Sequence, residues 1–275
     1  MEVRLESLVI GYRTRKGERH VLSPLSITLP EGRLLCIVGR NGVGKSTLLR
    51  TLAGLQPPIS GHIYVDGTRM EEYSTVELAR KVSIVTTHNH FADRMSVHDV
   101  VSLGRSPYTG FWGTLTDIDL RRVNESIAAV GIEQLSRRNV NSLSDGERQK
   151  VMIAKAIAQD TPVILLDEPT AFLDYPSKVQ TLSLLARLAK DMARTIIVST
   201  HDVEHALRLS NDVWLLQKEG LYEVLRRDTL VLNHTTDSFC KKIGNGDLLD
   251  LGTALGVGDG VGEDNLLKST VLHTL

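Results

Sequence analysis

Leu34-Leu35-Cys36-Ile37-Val38-Gly39-Arg40-Asn41-Gly42-Val43-Gly44-Lys45-Ser46-Thr47-Leu48-Leu49 is the stretch on which the fold turns. Its apolar opening has strand length and stops at Gly39. From Lys45 to Ala53 the pattern is helical, and Gly54 closes it. The segment between fits G-x-x-x-x-G-K-[ST], a phosphate cradle, in the strand–loop–helix setting that such a loop needs. Gly39, Asn41, Gly42 and Gly44 are the expected cradle positions, their backbone N–H groups turned toward phosphate oxygens. The helix behind adds the positive end of its dipole. Lys45 is expected to reach the β and γ phosphates as a point charge. The Ser46 hydroxyl is expected to hold Mg²⁺, and Thr47 to bond the α phosphate.

Working outward, the first thirty residues read as short strands. Ser23 to Leu29 alternates and ends at the turn signal Pro30-Glu31-Gly32. Ile63 and Val65 alternate before Asp66-Gly67, which predicts a hairpin. A further strand is expected over 82–86. The character then changes to helical. Ser96-Val97-His98-Asp99 and Ser144 to Glu147 are capping-box patterns, and Leu120, Val123, Ile127 and Val130 share one helical face ended by Gly131. Beyond it, Val163–Leu166, Ile196–Val198 and Val213–Leu216 read as strands, with helices from Pro176 and over Val203–Leu209 between them. Strands alternating with helices imply a mostly parallel sheet with helices on both faces. The helical insert, roughly 88–158, interrupts it.

Composition sets outer limits. In 275 residues, 32 Lys and Arg nearly balance 33 Asp and Glu, giving a net charge of −1, so the chain is not built to coat nucleic acid over its whole surface, which leaves room only for a local basic patch. Two cysteines, Cys36 and Cys240, are too few for a disulfide framework or a cysteine-based metal site. No apolar run reaches the length of a membrane span, and the first residues carry charges where a signal peptide needs an apolar stretch. The expectation is a cytosolic chain whose membrane role, if any, comes through a partner. Residues 221–275 hold seven glycines from Gly244 to Gly262 and read as a loose tail without a role.

Val163-Ile164-Leu165-Leu166-Asp167-Glu168-Pro169 is a hydrophobic strand ending in two carboxylates. Strand ends face ligands in open α/β sheets. Asp167 can hold Mg²⁺ through water, and Glu168 is the candidate for the base that orients the attacking water. His201, after the strand from Thr195, is placed to contact the γ phosphate. Its i,i+4 spacing from His205 matches metal sites, but no third ligand accompanies it. His88 and His90 read as loop residues.

Leu143-Ser144-Asp145-Gly146-Glu147-Arg148-Gln149 resembles the signature motif of ATP-binding cassette (ABC) ATPases, with Asp145 where Gly is more usual. The order of phosphate loop, signature, Asp-Glu pair and His is that family's order. Ala171-Phe172-Leu173-Asp174 resembles its D-loop, and Tyr12 its adenine-stacking aromatic. The resemblance covers about residues 3–220. It implies an α/β P-loop NTPase (RecA-like) core with an N-terminal antiparallel β subdomain and an inserted α-helical subdomain. The domain organisation expected is 1–220 as the ATPase and 221–275 unassigned. It also implies an ATPase using ATP and Mg²⁺ as a head-to-tail homodimer. Ser144 and Gly146 would contact the γ phosphate bound by the other subunit, with Asp174 nearby. One departure stands out: Thr87 falls where the family has a glutamine that reaches Mg²⁺.

Ser96 to Tyr108, above all Gly104-Arg105-Ser106-Pro107-Tyr108, resembles the same region in importers of ferric siderophores, haem and vitamin B12. The function implied is the ATPase subunit of such an importer. It would be peripheral on the cytoplasmic face of the membrane and act with separate permease subunits and, indirectly, a solute-binding protein. An exporter ATPase and a soluble non-transport ATPase are the alternatives. Tyr108, Phe111 and Trp112, with Arg105, are expected to form an exposed dock for a permease helix.

Overall fold

The computed structural model describes residues 1–226, apart from 16, 88–91, 111 and 218–219. The expectations for His88, His90, Phe111 and the tail beyond 226 lie outside the described residues.

Two sheets hold the phosphate-binding helix between them. β1 (Val3–Thr14), β2 (Gly17–Thr28), β4 (Ser60–Val65) and β5 (Thr68–Arg69) form an antiparallel sheet in the order β2-β1-β4-β5. β3 (Leu34–Val38), β6 (Val82–Val85), β7 (Val163–Asp167), β8 (Thr195–Thr200), β9 (Asp212–Gln217) and β10 (Gly220–Arg226) form the second, in the order β10-β9-β3-β8-β7-β6. That sheet is parallel except where β10 turns back antiparallel on β9. The expected short N-terminal strands are instead one long hairpin, each arm 12 residues. Three register shifts between its arms explain why no alternation runs the full length of the hairpin. The second sheet also runs past residue 220, to Arg226.

α1 (Lys45–Leu52) buries Leu48, Leu49 and Leu52 in a core that also takes Leu5 and Ile10 from one sheet and Ile37, Leu165 and Trp214 from the other. Each such side chain contributes about 1.5–3 kcal/mol. Because this core is continuous, the phosphate loop at the start of α1 is fixed against both sheets.

α3 (Val97–Ser102), α4 (Asp117–Ala129) and α5 (Asp145–Ala158) pack on one another as the helical insert. Full capping boxes start all three, as they do the short α2 (Thr75–Ala79). Val97, Val100, Val101, Val123, Ile127 and Val151 are buried there, whereas Leu120 is 37% exposed. α6 (Tyr175–Asp191) and α7 (Val203–Leu209) complete the α/β alternation. Asp174 caps α6, so Pro176 falls at its second position.

One expectation about the insert fails. Arg105 is not part of an exposed cluster: it is 4% exposed, donates from Nε to Asp119 Oδ1 at 2.9 Å and from Nη1 to the Ala158 carbonyl oxygen at 2.7 Å. Tyr108 lies over its guanidinium at 4.0 Å and near that of Arg80 at 5.2 Å. Arg105 is therefore a strut between α4 and α5. Trp112, at 88% exposure, does stand at the surface as expected.

Candidate functional site

The register of the parallel sheet brings the site together. β3 and β7 both flank β8, so the loop after Val38 and the carboxylates at the end of β7 emerge at the same edge. The loop needs its glycines for close approach. At Gly44, with φ of 115°, an added Cβ would lie 2.4 Å from Val21 Cγ1, so the β1–β2 hairpin rests directly on the cradle.

Lys45 is buried. Its Nζ donates to the Gly39 carbonyl oxygen at 2.8 Å and lies 3.5 Å from Glu168 Oε1. Ser46 Oγ donates to Asp167 Oδ1 at 2.8 Å. Thr87 Oγ1 donates to the Asp167 carbonyl oxygen at 3.0 Å. These sequence-identified residues therefore converge at one place.

Ser199 was not singled out in the sequence, although its strand was. Its hydroxyl donates to Asp167 Oδ1 at 2.7 Å and accepts from Glu168 N–H at 2.9 Å. Asp167 pairs with Ser199 in the parallel register, and that cross-strand partner is the signal that would have found it. Ser199 matters because Glu168 has φ of 47°, a left-handed conformation that costs a non-glycine residue about 1–3 kcal/mol. The bond to its N–H helps hold this turn.

Tyr12 comes from β1, and its Oη is 2.8 Å from Thr47 Oγ1 on α1. Asn41 and Gly42 are exposed at the loop tip. His201 is exposed just past β8, while His205 is buried with Nδ1 2.6 Å from Asp202 Oδ2 and its ring 4.9 Å from that of Tyr175. The two histidines are therefore not a metal pair.

Ser144 and Asp174 are exposed helix caps. Ser144 Oγ accepts from Glu147 N–H at 3.3 Å, and Asp174 Oδ1 accepts from Ser177 N–H at 3.1 Å. These bonds stay within their own helix starts. Gly146 lies in the first turn of α5. The amide and hydroxyl of Ser144 hold the Glu147 carboxyl below the usual carboxylate range. Between α5 and the end of β7 lies a cavity of about 220 Å³, bordered by Thr87, Arg148, Gln149, Asp167, Glu168 and Phe172.

Ser46 and Asp167 offer a hydroxyl and a carboxylate oxygen in contact, a hard-oxygen pair of the kind that suits Mg²⁺. A glycine loop on a helix start, a buried lysine and a carboxylate pair at the end of a strand in the same sheet define a P-loop nucleoside triphosphatase.

The chain belongs to the ABC transporter family, whose model matches residues 22–171. It is an ATP-binding cassette of that family, an ATP hydrolase. An iron(3+)-hydroxamate import ATP-binding protein of Bacillus subtilis is 37% identical over 213 residues, 78% of each chain. The ferric enterobactin transport ATP-binding protein of Escherichia coli is 34% identical over 216 residues, again 78% of each. Among solved structures, a metal-chelate type ABC transporter in an inward-facing conformation is similar at TM-score 0.70 and 29% identity, over 86% of this chain and 87% of that one. A dimeric bacterial ABC transporter cassette is similar at TM-score 0.71 and 25% identity, over 82% and 98%. Among the described residues, no helix is long and apolar enough to cross a membrane.

Proposed function

We propose that this chain is the ATP-hydrolysing subunit of an importer for a ferric-siderophore, haem or cobalamin-type solute. The observation that carries the chemistry is the convergence of Lys45, Ser46, Asp167 and Glu168 beyond the ends of β3 and β7, the two strands that flank β8. The name of the Bacillus subtilis relative supports import, and the names of both bacterial relatives support a metal-chelate solute class.

In this reading the cradle from Gly39 to Gly44 binds the phosphates, and Lys45 neutralises charge on the β and γ groups. Ser46 and Asp167 would hold Mg²⁺, which supplies charge neutralisation on the phosphate oxygens when bound. Glu168 takes the proton of the attacking water, and His201 contacts the γ phosphate. Thr87 stands beside Asp167, and its hydroxyl would act on the metal only through water. Tyr12 stacks on adenine, and Thr47 bonds the α phosphate.

Two copies are proposed to pair head to tail, each presenting Ser144, Gly146 and Asp174 to nucleotide on the other. Ser144 and Gly146 open α5, a helix start suited to an anion. The dimeric cassette that this chain resembles supports the pairing. The 1–220 ATPase unit with its helical insert would dock on separate permease subunits, with Trp112 at the dock, on the cytoplasmic face of the membrane. A solute-binding protein would deliver solute on the other side. Nucleic acid has no part in it.

The test is reconstitution with a candidate permease pair in vesicles. ATP-driven uptake of a ferric siderophore, lost with Lys45→Ala, is expected. ATP hydrolysis without permease association would remove the transport role.

A further inference from the structure

Tyr12 and Thr47 are joined hydroxyl to hydroxyl across two layers of the fold, 2.8 Å apart. Tyr12 is 42% exposed and Thr47 only 5%. The ring is thus open to a ligand while its phenol is anchored. The strand that carries it is held firmly. At Gly11 an added Cβ would lie 2.1 Å from the Arg19 carbonyl oxygen, so β2 closes on β1 only because that residue is glycine. The Gln56 side-chain amide also donates to the Gly11 carbonyl.

Each hydroxyl has one proton to give and two lone pairs to receive. A phenol is the stronger acid, so Tyr12 is the favoured donor and Thr47 the acceptor. Thr47 then keeps its own proton. A threonine inside a helix commonly gives that proton to the carbonyl four residues back. Thr51 does so in this helix, to the Thr47 carbonyl oxygen at 2.9 Å. Thr47 is instead held by Tyr12 at the positive end of α1, where an anion would bind.

We propose that Tyr12 is a positioning residue whose phenol fixes the Thr47 hydroxyl as a donor to the α phosphate, so that base stacking and phosphate contact act as one unit. It rests on the nucleotide site proposed above and adds a specific coupling within it.

The experiment is a titration of the full chain with ADP, which is not turned over, for Tyr12→Phe, Thr47→Val and the double variant. Phe keeps the stacking ring and loses only the hydroxyl. Each single change should weaken ADP binding roughly 3- to 10-fold, the range of one lost hydrogen bond, and the double should be no weaker than either single. Thr47→Ser, which keeps a hydroxyl, should recover more ADP affinity than Thr47→Val and stay sensitive to Tyr12→Phe. Thr47→Ala, which also lacks the hydroxyl, serves in place of Thr47→Val if that variant does not fold. Parent-like or tighter binding by Tyr12→Phe, or losses that simply add, would overturn the coupling. Lys45→Ala in the same titration separates the two levels. Unchanged ADP binding there removes the nucleotide site, whereas its loss beside an unaffected Tyr12→Phe removes only the hydroxyl pair.

Discussion

Lys45 Nζ stands 3.5 Å from Glu168 Oε1 while it donates to the Gly39 carbonyl oxygen at 2.8 Å. The cation assigned to the phosphates is thus paired with the carboxylate assigned to the water. In the proposed site, phosphate would compete with Glu168 for that ammonium, and its arrival would leave the carboxylate unpaired and able to take a proton.

Glu168→Gln tests both halves of this relationship. Removing the competing charge should tighten ADP binding by about 3-fold, a modest change because Glu168 is partly solvated. ATP turnover should fall by at least ~100-fold, as expected for loss of a general base. ATP should still bind and hold two copies together. Calorimetry with ADP and a phosphate-release assay read the two effects separately. Parent-like turnover would move the base elsewhere, and parent-like ADP affinity would show that the pair does not compete.

Ser199→Ala removes the hydroxyl shared by Asp167 Oδ1 and Glu168 N–H. An unsatisfied buried group costs about 1–3 kcal/mol, and the left-handed turn at Glu168 loses a tie. Denaturant unfolding should show that loss. Turnover should fall further than ADP affinity, because the carboxylate is displaced while the cradle is intact. Equal losses in both would make Ser199 a packing residue only.

Much of this site was legible in the sequence because its residues lie at the ends of strongly patterned segments. Gly39 ends an apolar strand, Ser46 opens a helix, and Asp167 closes a second apolar strand. Ser199 was hidden because its role depends on which strand lies beside β7, and strand order is not a local property of the chain. Arg105 misled for a related reason. Its aromatic neighbours suggested a surface, yet Asp119 in α4 and the end of α5 enclose it. The long N-terminal hairpin was broken up in the reading by register shifts that no short-range alternation records.

The Arg105–Asp119 pair predicts an acid-sensitive insert. Asp119 also completes the capping box at the start of α4, accepting from the Thr116 N–H at 2.9 Å. The Thr116 hydroxyl, and then Arg105, hold its carboxyl below the usual carboxylate range. A depressed folded-state pKa means that this stabilisation is complete above the unfolded value near ~4 and is lost as pH falls through the folded one. Asp119→Ala leaves Arg105 buried without its partner and should cost about 3 kcal/mol at pH 7. The parent should lose this advantage over Asp119→Ala below about pH 4. A difference between the two proteins that stays constant from pH 7 to pH 3 would argue against the ion pair as its source.

The Thr87 hydroxyl is engaged with the Asp167 carbonyl oxygen. Two substitutions divide its roles. Thr87→Val keeps the shape and deletes the bond, so it should lower stability by about 1 kcal/mol and leave the Mg²⁺ dependence of turnover unchanged. Thr87→Gln adds reach and a carbonyl oxygen, a ligand type that Mg²⁺ accepts. It should lower the Mg²⁺ concentration for half-maximal turnover by about 2- to 5-fold, the worth of one added oxygen contact. Thermal unfolding and magnesium titrations of phosphate release distinguish the two. If Gln and Val shift magnesium dependence alike, the side chain acts through the strand end at Asp167, and the metal is not what this position serves.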